Sequence, residues 1–304
     1  MSFASGKSAL NLPIKIFNNH IYLQVSVNNS EALWFLLDTG AGNIINSRAA
    51  RALGLKLKPA GQTTGVGEGY ADVFFTEDVS VTLPGVTIGR EKFVVISLEN
   101  VEECSDKIEV DLDGKLTWRA QAAKGDERQP IDGVLGREFF RHFVVEIDYA
   151  AKSINLYDPK SYRYQGQGER IPLEVGETHI YMRAPITASG RAPINARFLI
   201  DSGAAVALIL NSPFVAQNKL LPPAGQTTPF SICGIGGDSN TQIGKLAEIR
   251  VGNVKLENPI TMFSQATNGT LADPEVSGIL GNAILRRFRV VFDYSRKVMI
   301  LEQK

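Results

Sequence analysis

The sequence predicts a mainly β protein built from two copies of one unit, and three observations carry that reading. An apolar run twice delivers an acid, a hydroxyl residue and a glycine to a turn: "FLLDTGAGNIIN" (35–46) and "FLIDSGAAVALIL" (198–210), with Asp38 and Asp201 lying 163 residues apart. A second matched block follows each: "IDGVLGREFFRHFVVEIDY" (131–149) and "VSGILGNAILRRFRVVFDY" (276–294), with 12 residues from Gly136 to Asp148 and again from Gly281 to Asp293. Between the two blocks of each half stands a glycine-rich loop, "GVGEGY" (65–70) and "GIGGDS" (234–239). Three pieces repeated in one order mark an internal duplication.

The elements follow from local pattern. Short apolar or alternating stretches such as "IYLQVSV", "VSVTL", "KFVVIS", "VVEIDY" and "INLY", separated by Gly, Pro and Asn, read as strands. Helical pattern is brief: "SRAARALGL" (47–55) after the first acid, then "REFFRHF" and "NAILRRF". The first unit spans 12–158 and the second 171–304, joined by the polar, glycine-bearing stretch 159–170. The units differ chiefly at 100–130, where the first carries a charged insertion with Trp118 and the second only "ATNGTLADPE". The insertion interrupts the chain just before "VLG" and is expected to emerge near whatever the acids face.

Composition excludes several classes of function. The chain has 304 residues, enough for two cores, and its 44% hydrophobic and 21% charged content is that of a globular protein. Lys plus Arg and Asp plus Glu are both 32, so no net charge draws it to nucleic acid or an anionic membrane. No apolar run approaches the roughly 20 residues that cross a bilayer. The start "MSFASGKSALNLP" has one Lys and no apolar core and does not read as a signal peptide. The compartment is therefore extracytoplasmic if a leader has been removed and cytoplasmic otherwise. Three histidines (His20, His142, His179) and two distant cysteines give no metal cluster, so neither a metal nor another cofactor is expected. Cys104 and Cys233 fall in different halves and are expected as free thiols. No G-x-S-x-G motif supports a serine nucleophile. The calcium-like "DLDGK" (111–115) lacks a glutamate at the twelfth position and reads as a polar hairpin.

A hydrophobic pair before D-[TS]-G, answered downstream by "VLG" or "ILG", resembles the aspartic peptidases. Two such units in one chain resemble the bilobal pepsin arrangement, while Ala41 and Ala204 after the tripeptides and the short units look more like the retroviral-type enzymes. The resemblance covers nearly the whole chain outside the insertion and the first dozen residues. It implies an all-β fold of two pepsin- or retropepsin-like barrel lobes, related by a pseudo-two-fold axis with a cleft between them. One D-[TS]-G arises by chance in roughly one chain in ten of this length, so the weight rests on its duplication.

The chemistry explains the arrangement independently. Peptide hydrolysis needs a base to activate water and an acid to protonate the departing amine, and two carboxylates sharing one proton supply both. Asp38 and Asp201 are the candidate catalytic residues. The resemblance implies that Thr39 and Ser202 hydrogen-bond across to the opposite lobe. Gly40 and Gly203 let the backbone pass where a Cβ would collide. Gly65, Gly67 and Tyr70 in the first loop, with Gly234 and Gly236 in the second, are either plain hairpin turns or flaps that close over a peptide. Asp132 has Ser277 as its counterpart and is too asymmetric for a dyad. Asp148 and Asp293 repeat, lack a following glycine, and read as strand-end caps.

Two functions of different classes follow. One is a monomeric endopeptidase acting on a polypeptide. The other is a peptide-binding scaffold that kept the fold without turnover, and the retention of both acids favours the enzyme. Alanines 41 and 204 stand where many pepsin-type sites place a hydroxyl donor to the carboxylate, which points to an activity maximum at roughly pH 4 to 7.

Overall fold

The structure, a computed structural model, describes residues 1–303 apart from 111–115 and 119–128; over 104–110 and 116–118 it describes the course of the chain alone. The "DLDGK" hairpin and the side chains of Cys104 and Trp118 lie outside the described residues.

The described chain is mostly strand, arranged as two lobes that repeat one plan. In the first, strand Leu33–Leu37 pairs antiparallel with His20–Val27 and parallel with Gly133–Leu135, which in turn pairs antiparallel with Ile44–Asn46. In the second, Ile194–Asp201 pairs antiparallel with Ile180–Thr187 and parallel with Gly278–Gly281, which pairs antiparallel with Leu208–Leu210. The apolar runs become central strands because they are buried: Phe35 and Phe198 are both 0% exposed. Their neighbours alternate inward and outward, as "IYMRAPIT" does over Ile180–Thr187.

A six-stranded sheet joins the lobes in the order Glu169–Pro172, Val298–Gln303, Phe288–Asp293, Val144–Asp148, Ser153–Tyr157, Ser8–Pro13. At its centre the equivalent strands of the two halves meet antiparallel, with Glu146 opposite Val291. Those two residues occupy the same position in the repeat, so the pseudo-two-fold axis passes through the pair. One continuous apolar core runs from Leu23 and Phe139 of the first lobe to Phe198 and Phe292 of the second. Asp148 and Asp293 cap turns: the first accepts from the N–H groups of Ala150 and Ala151, the second from Ser295, the Arg296 N–H and the Arg296 guanidinium.

Two helices sit where no helix is expected. Ser212–Asn218 starts from Asn211 with a proline in its first turn, a favourable helix opening. Glu99–Lys107 opens the insertion and lies against strand Thr228–Gly234 of the other lobe. That contact bears on the cysteines, for which the expectation of free thiols is corrected. Cys233 is disulfide-bonded and no described cysteine is free; Cys104, in helix Glu99–Lys107, is the one other cysteine in the sequence. Sequence distance argued against pairing, whereas the fold brings those two elements together. No helix among the described residues is long and apolar enough to cross a membrane.

Candidate active site

The two central strands bring Asp38 and Asp201 together at the floor of a cleft of about 260 Å³ between the lobes. Each strand ends one residue before or at its acid, and the neighbouring parallel strand sets the height of the turn: the Asp38 N–H donates to Leu135 O at 3.0 Å, and Asp201 stands in register with Gly281. The glycines closing the "VLG" and "ILG" blocks are required by this packing. A Cβ on Gly136 would overlap the carbonyls of Ala41 and Gly42, and one on Gly281 would overlap that of Val206.

Behind the acids the hydroxyl residues cross over. Thr39 N–H donates to Ser202 Oγ at 3.0 Å and Thr39 Oγ1–H to Ile200 O at 2.8 Å; reciprocally, Ser202 N–H donates to Thr39 Oγ1 at 3.0 Å and Ser202 Oγ–H to Leu37 O at 2.9 Å. Both side chains are 0% exposed, so all four bonds are shielded from water. Gly40 and Gly203 face the opposite acid: a methyl on Gly40 would lie 2.5 Å from Asp201 Cγ, and one on Gly203 would collide with the Asp38 carboxylate. The bare backbone also donates. Gly40 N–H reaches Asp38 Oδ1 at 2.7 Å, while Gly203 and Ala204 N–H reach Asp201 Oδ1 at 2.8 and 2.9 Å.

The carboxyl groups of Asp38 and Asp201 hydrogen-bond to each other. Burial pushes both above the usual carboxylate range. Asp201 is pushed further, because the Asp38 charge and the shared bond add to burial, whereas bonds from Asp201, Gly40 and Gly203 and the nearby His179 pull Asp38 back down. The pair therefore holds one proton across a wide pH range and titrates as a unit.

The glycine-rich loops meet over the cleft. Gly67 N–H donates to Ile235 O at 3.0 Å and Gly69 N–H to Gly236 O at 2.8 Å, with Gly236 at φ +92°. Glu68 at the first tip accepts from both the N–H and the hydroxyl of Thr267, at 3.1 and 2.7 Å. Val66 packs on the apolar cluster of the second lobe, and Ile235 on that of the first. Tyr70 is 66% exposed and sits at the foot of the loop, just before strand Ala71–Leu83.

The side walls are apolar and matched. Leu36, Ile44 and Val134 line one side, and their repeat equivalents Leu199, Ile209 and Ile279 the other. The stems of the insertion, Leu98, Val101 and Ile131, join the first wall, held by Glu102, which accepts from the Ile131 N–H at 2.7 Å and pairs with Arg48 at 3.2 Å. Asp132 lies away from the dyad, accepting from the Trp34 N–H at 3.0 Å.

Two cleft residues escaped the sequence reading. His20 and His179 line the cavity, each at the start of the strand preceding its lobe's acid. The signal is present, since "HIY" stands at 20–22 and again at 179–181, but a histidine before an apolar strand carries no chemistry of its own until the fold sets it beside an acid.

A family model described as aspartyl protease matches residues 23–139 and 184–284, one segment in each lobe and together most of the chain. No curated protein matches the sequence closely enough to count as a relative. The matched segments contain both acids, both crossed hydroxyl residues and both downstream glycine blocks, and the chain belongs to the aspartyl protease family.

Proposed function

We propose that the protein is a monomeric endopeptidase that hydrolyses peptide bonds of an extended polypeptide held between the lobes, with Asp38 and Asp201 as its catalytic dyad. The observation that carries this reading is the hydrogen-bonded pair of carboxyl groups at the floor of the cleft, one from each half of a single chain. Because each lobe supplies one acid, no second subunit is needed to complete the site.

In this reading ionised Asp38 takes a proton from water as its oxygen forms a bond to the scissile carbonyl carbon, and Asp201 gives its proton to the carbonyl oxygen. Collapse of the resulting diol breaks the C–N bond: the departing amine takes up the proton gained by Asp38, and one diol hydroxyl gives its proton back to Asp201 as the new carboxyl group forms, returning the pair to its singly protonated state. Main-chain N–H groups of Gly40, Gly203 and Ala204 hold the carboxylates in the plane needed for both transfers. The loops at 65–70 and 234–239 act as flaps: their mutual bonds must part to admit a polypeptide and can re-form over it to exclude water. The apolar walls favour apolar side chains on either side of the cleaved bond.

Digestion of a mixed peptide library, with and without a statine-type inhibitor that mimics the tetrahedral diol, tests the proposal. Cleavage abolished by the inhibitor is expected. A protein that binds library peptides and cuts none, at any pH from 3 to 8, would instead be the scaffold.

A further inference from the structure

The two "HIY" segments lie on hairpins that reach out of their own lobes. In the first, Asn19 docks on the second lobe: its carbonyl accepts from Asn282, its side-chain oxygen accepts from Arg286, and its amide donates to Ala205 O at 3.1 Å. In the second, the carbonyl of Glu177 docks on the first lobe, accepting from Arg137 at 2.6 Å and Arg141 at 3.1 Å. The receiving residues are equivalent, since Arg137 and Asn282 each open the helix after the "VLG" or "ILG" block. Each hairpin therefore clasps the other lobe's helix beside the other lobe's acid.

The imidazoles continue the exchange. The His20 ring hydrogen-bonds to the main chain of Gly203, and the His179 ring to that of Gly40. Both bonds favour the protonated ring, the sense of a carbonyl acceptor, so the ring N–H donates. Nδ1 of His20 is buried and has no hydrogen-bond partner among the described residues, which leaves Nε2 as its donor. Each histidine thus holds the D-[TS]-G glycine of the opposite lobe, the same residue whose N–H holds the opposite acid.

We propose that His20 and His179 are a duplicated pair of positioning residues, each bracing the catalytic turn of the lobe to which it does not belong. The proposal rests on the peptidase reading above and extends it from the dyad to the frame that sets the distance between its acids. The crossed hydroxyls of Thr39 and Ser202 tie the turns from behind, and the imidazoles tie them from the cleft side. The two rings differ in electrical surroundings. His179 faces Asp38 and Asp273, which favour its charged form, and Arg137, which together with burial outweighs them, so the ring titrates below its usual range. His20, whose hairpin is met by Arg286, is held down to about 4, chiefly by burial. His20 therefore stays neutral through the working range, and His179 is the imidazole that communicates with the dyad.

The test compares His→Leu, which removes the donor, with His→Gln, which keeps an amide near the Nε2 position, at 20 and at 179. Each leucine variant is expected to lose about 10- to 100-fold in kcat with KM within twofold of wild type, the scale of a small misplacement of reacting groups, and glutamine is expected to recover most of the loss. In addition, His179→Leu and His179→Gln should both move the pH–rate limb of the dyad upward, because the cation that favours ionised Asp38 is gone; the His20 variants should leave that limb in place. Leucine variants with wild-type kcat, or glutamine no better than leucine, would overturn the proposal. A readout free of turnover is NMR titration of the ring nitrogens in the full-length wild type and in Asp38→Asn. Loss of the Asp38 charge should lower the His179 midpoint and leave that of His20, and an unmoved His179 would also overturn the proposal. Absence of any cleavage by wild type, with the His179 midpoint responding as stated, would count against the peptidase reading alone.

Discussion

The two catalytic turns share a backbone and differ in what lies around it. In the first lobe the loop after Asp38 is held by polar side chains: Asn43 Oδ1 accepts from Gly136 N–H at 2.9 Å, and Glu138 accepts from Asn43 N–H at 2.7 Å. In the second lobe the Gly281 N–H donates instead to the main chain, to Ala207 O at 2.9 Å, with apolar Val206 in the loop; the next bond is common to both lobes, from Arg137 N–H to Ala41 O at 2.8 Å and from Asn282 N–H to Ala204 O at 2.7 Å. Beneath the turns Tyr149 donates to Asn282 at 2.5 Å, while the hydroxyl of its counterpart Tyr294 is buried without a hydrogen-bond partner among the described residues. What stayed alike through the duplication is what both halves must supply, namely an acid, a crossed hydroxyl and a bare glycine. What diverged is the polarity of the side chains that hold each turn in place.

Around the acids themselves, the largest effect should come from breaking a shared part. Gly40→Ala and Gly203→Ala each drive a methyl into the opposite carboxylate. Either should lower kcat about 100-fold or more, since the acids can no longer keep their contact. Near-normal turnover in either variant would mean that the close approach of glycine to acid is not needed for the reaction.

The crossed hydroxyls come next. Thr39→Val keeps shape but leaves the buried Ser202 N–H and Ile200 C=O unsatisfied, a cost of about 1–3 kcal/mol for each group. Ser202→Ala strips the mirrored bonds from Thr39 N–H and Leu37 C=O. Chemical denaturation should show both variants destabilised and the double variant less so than the sum, because the four bonds, though distinct, hold one pair of turns together and losing either pair loosens the other. Strict additivity would show two independent capping contacts instead of one linked pair.

How much of this was legible depends on range. The acids, the crossed hydroxyl residues and the glycine blocks stood out because each is a short run whose chemistry is local and which recurs. The helices at Ser47–Ala52 and Arg137–His142 were readable from pattern, whereas Ser212–Asn218 was missed although Asn-Ser-Pro is a helix opening. The six-stranded sheet left no local trace: Val145 pairs with Phe292 and Ser8–Pro13 pairs with Ser153–Tyr157, so the partners are specified by the closed fold alone. The disulfide at Cys233 was hidden for the same reason. The side to which Tyr70 turns was not legible, because it depends on where the loop ends and strand Ala71–Leu83 begins, and sequence does not fix boundaries to one residue.

A smaller effect concerns stability against pH. Burial raises the folded-state titration of both acids above 3.8, so the folded state binds more protons than the unfolded chain once pH exceeds that value. Stability is then full below about pH 3.8 and is lost as pH rises through the folded values. Asp201→Asn removes the more strongly raised group and should have a higher Tm than wild type at pH 7, with the gap closing toward pH 3. An equal gap at both pH values would show that the variant changes packing instead of relieving a buried charge.

The central claim is that one acid from each lobe forms a single catalytic unit. Cleavage rates of one library-derived peptide by wild type, Asp38→Asn, Asp201→Asn and the double variant, across pH 3 to 8, test it most directly. The dyad predicts a wild-type maximum between roughly pH 4 and 7, a loss of about 10⁴-fold or more in each single variant with folding retained, and a double variant no slower than either. A single variant that keeps near-normal rate, or losses that multiply in the double variant, would contradict the account.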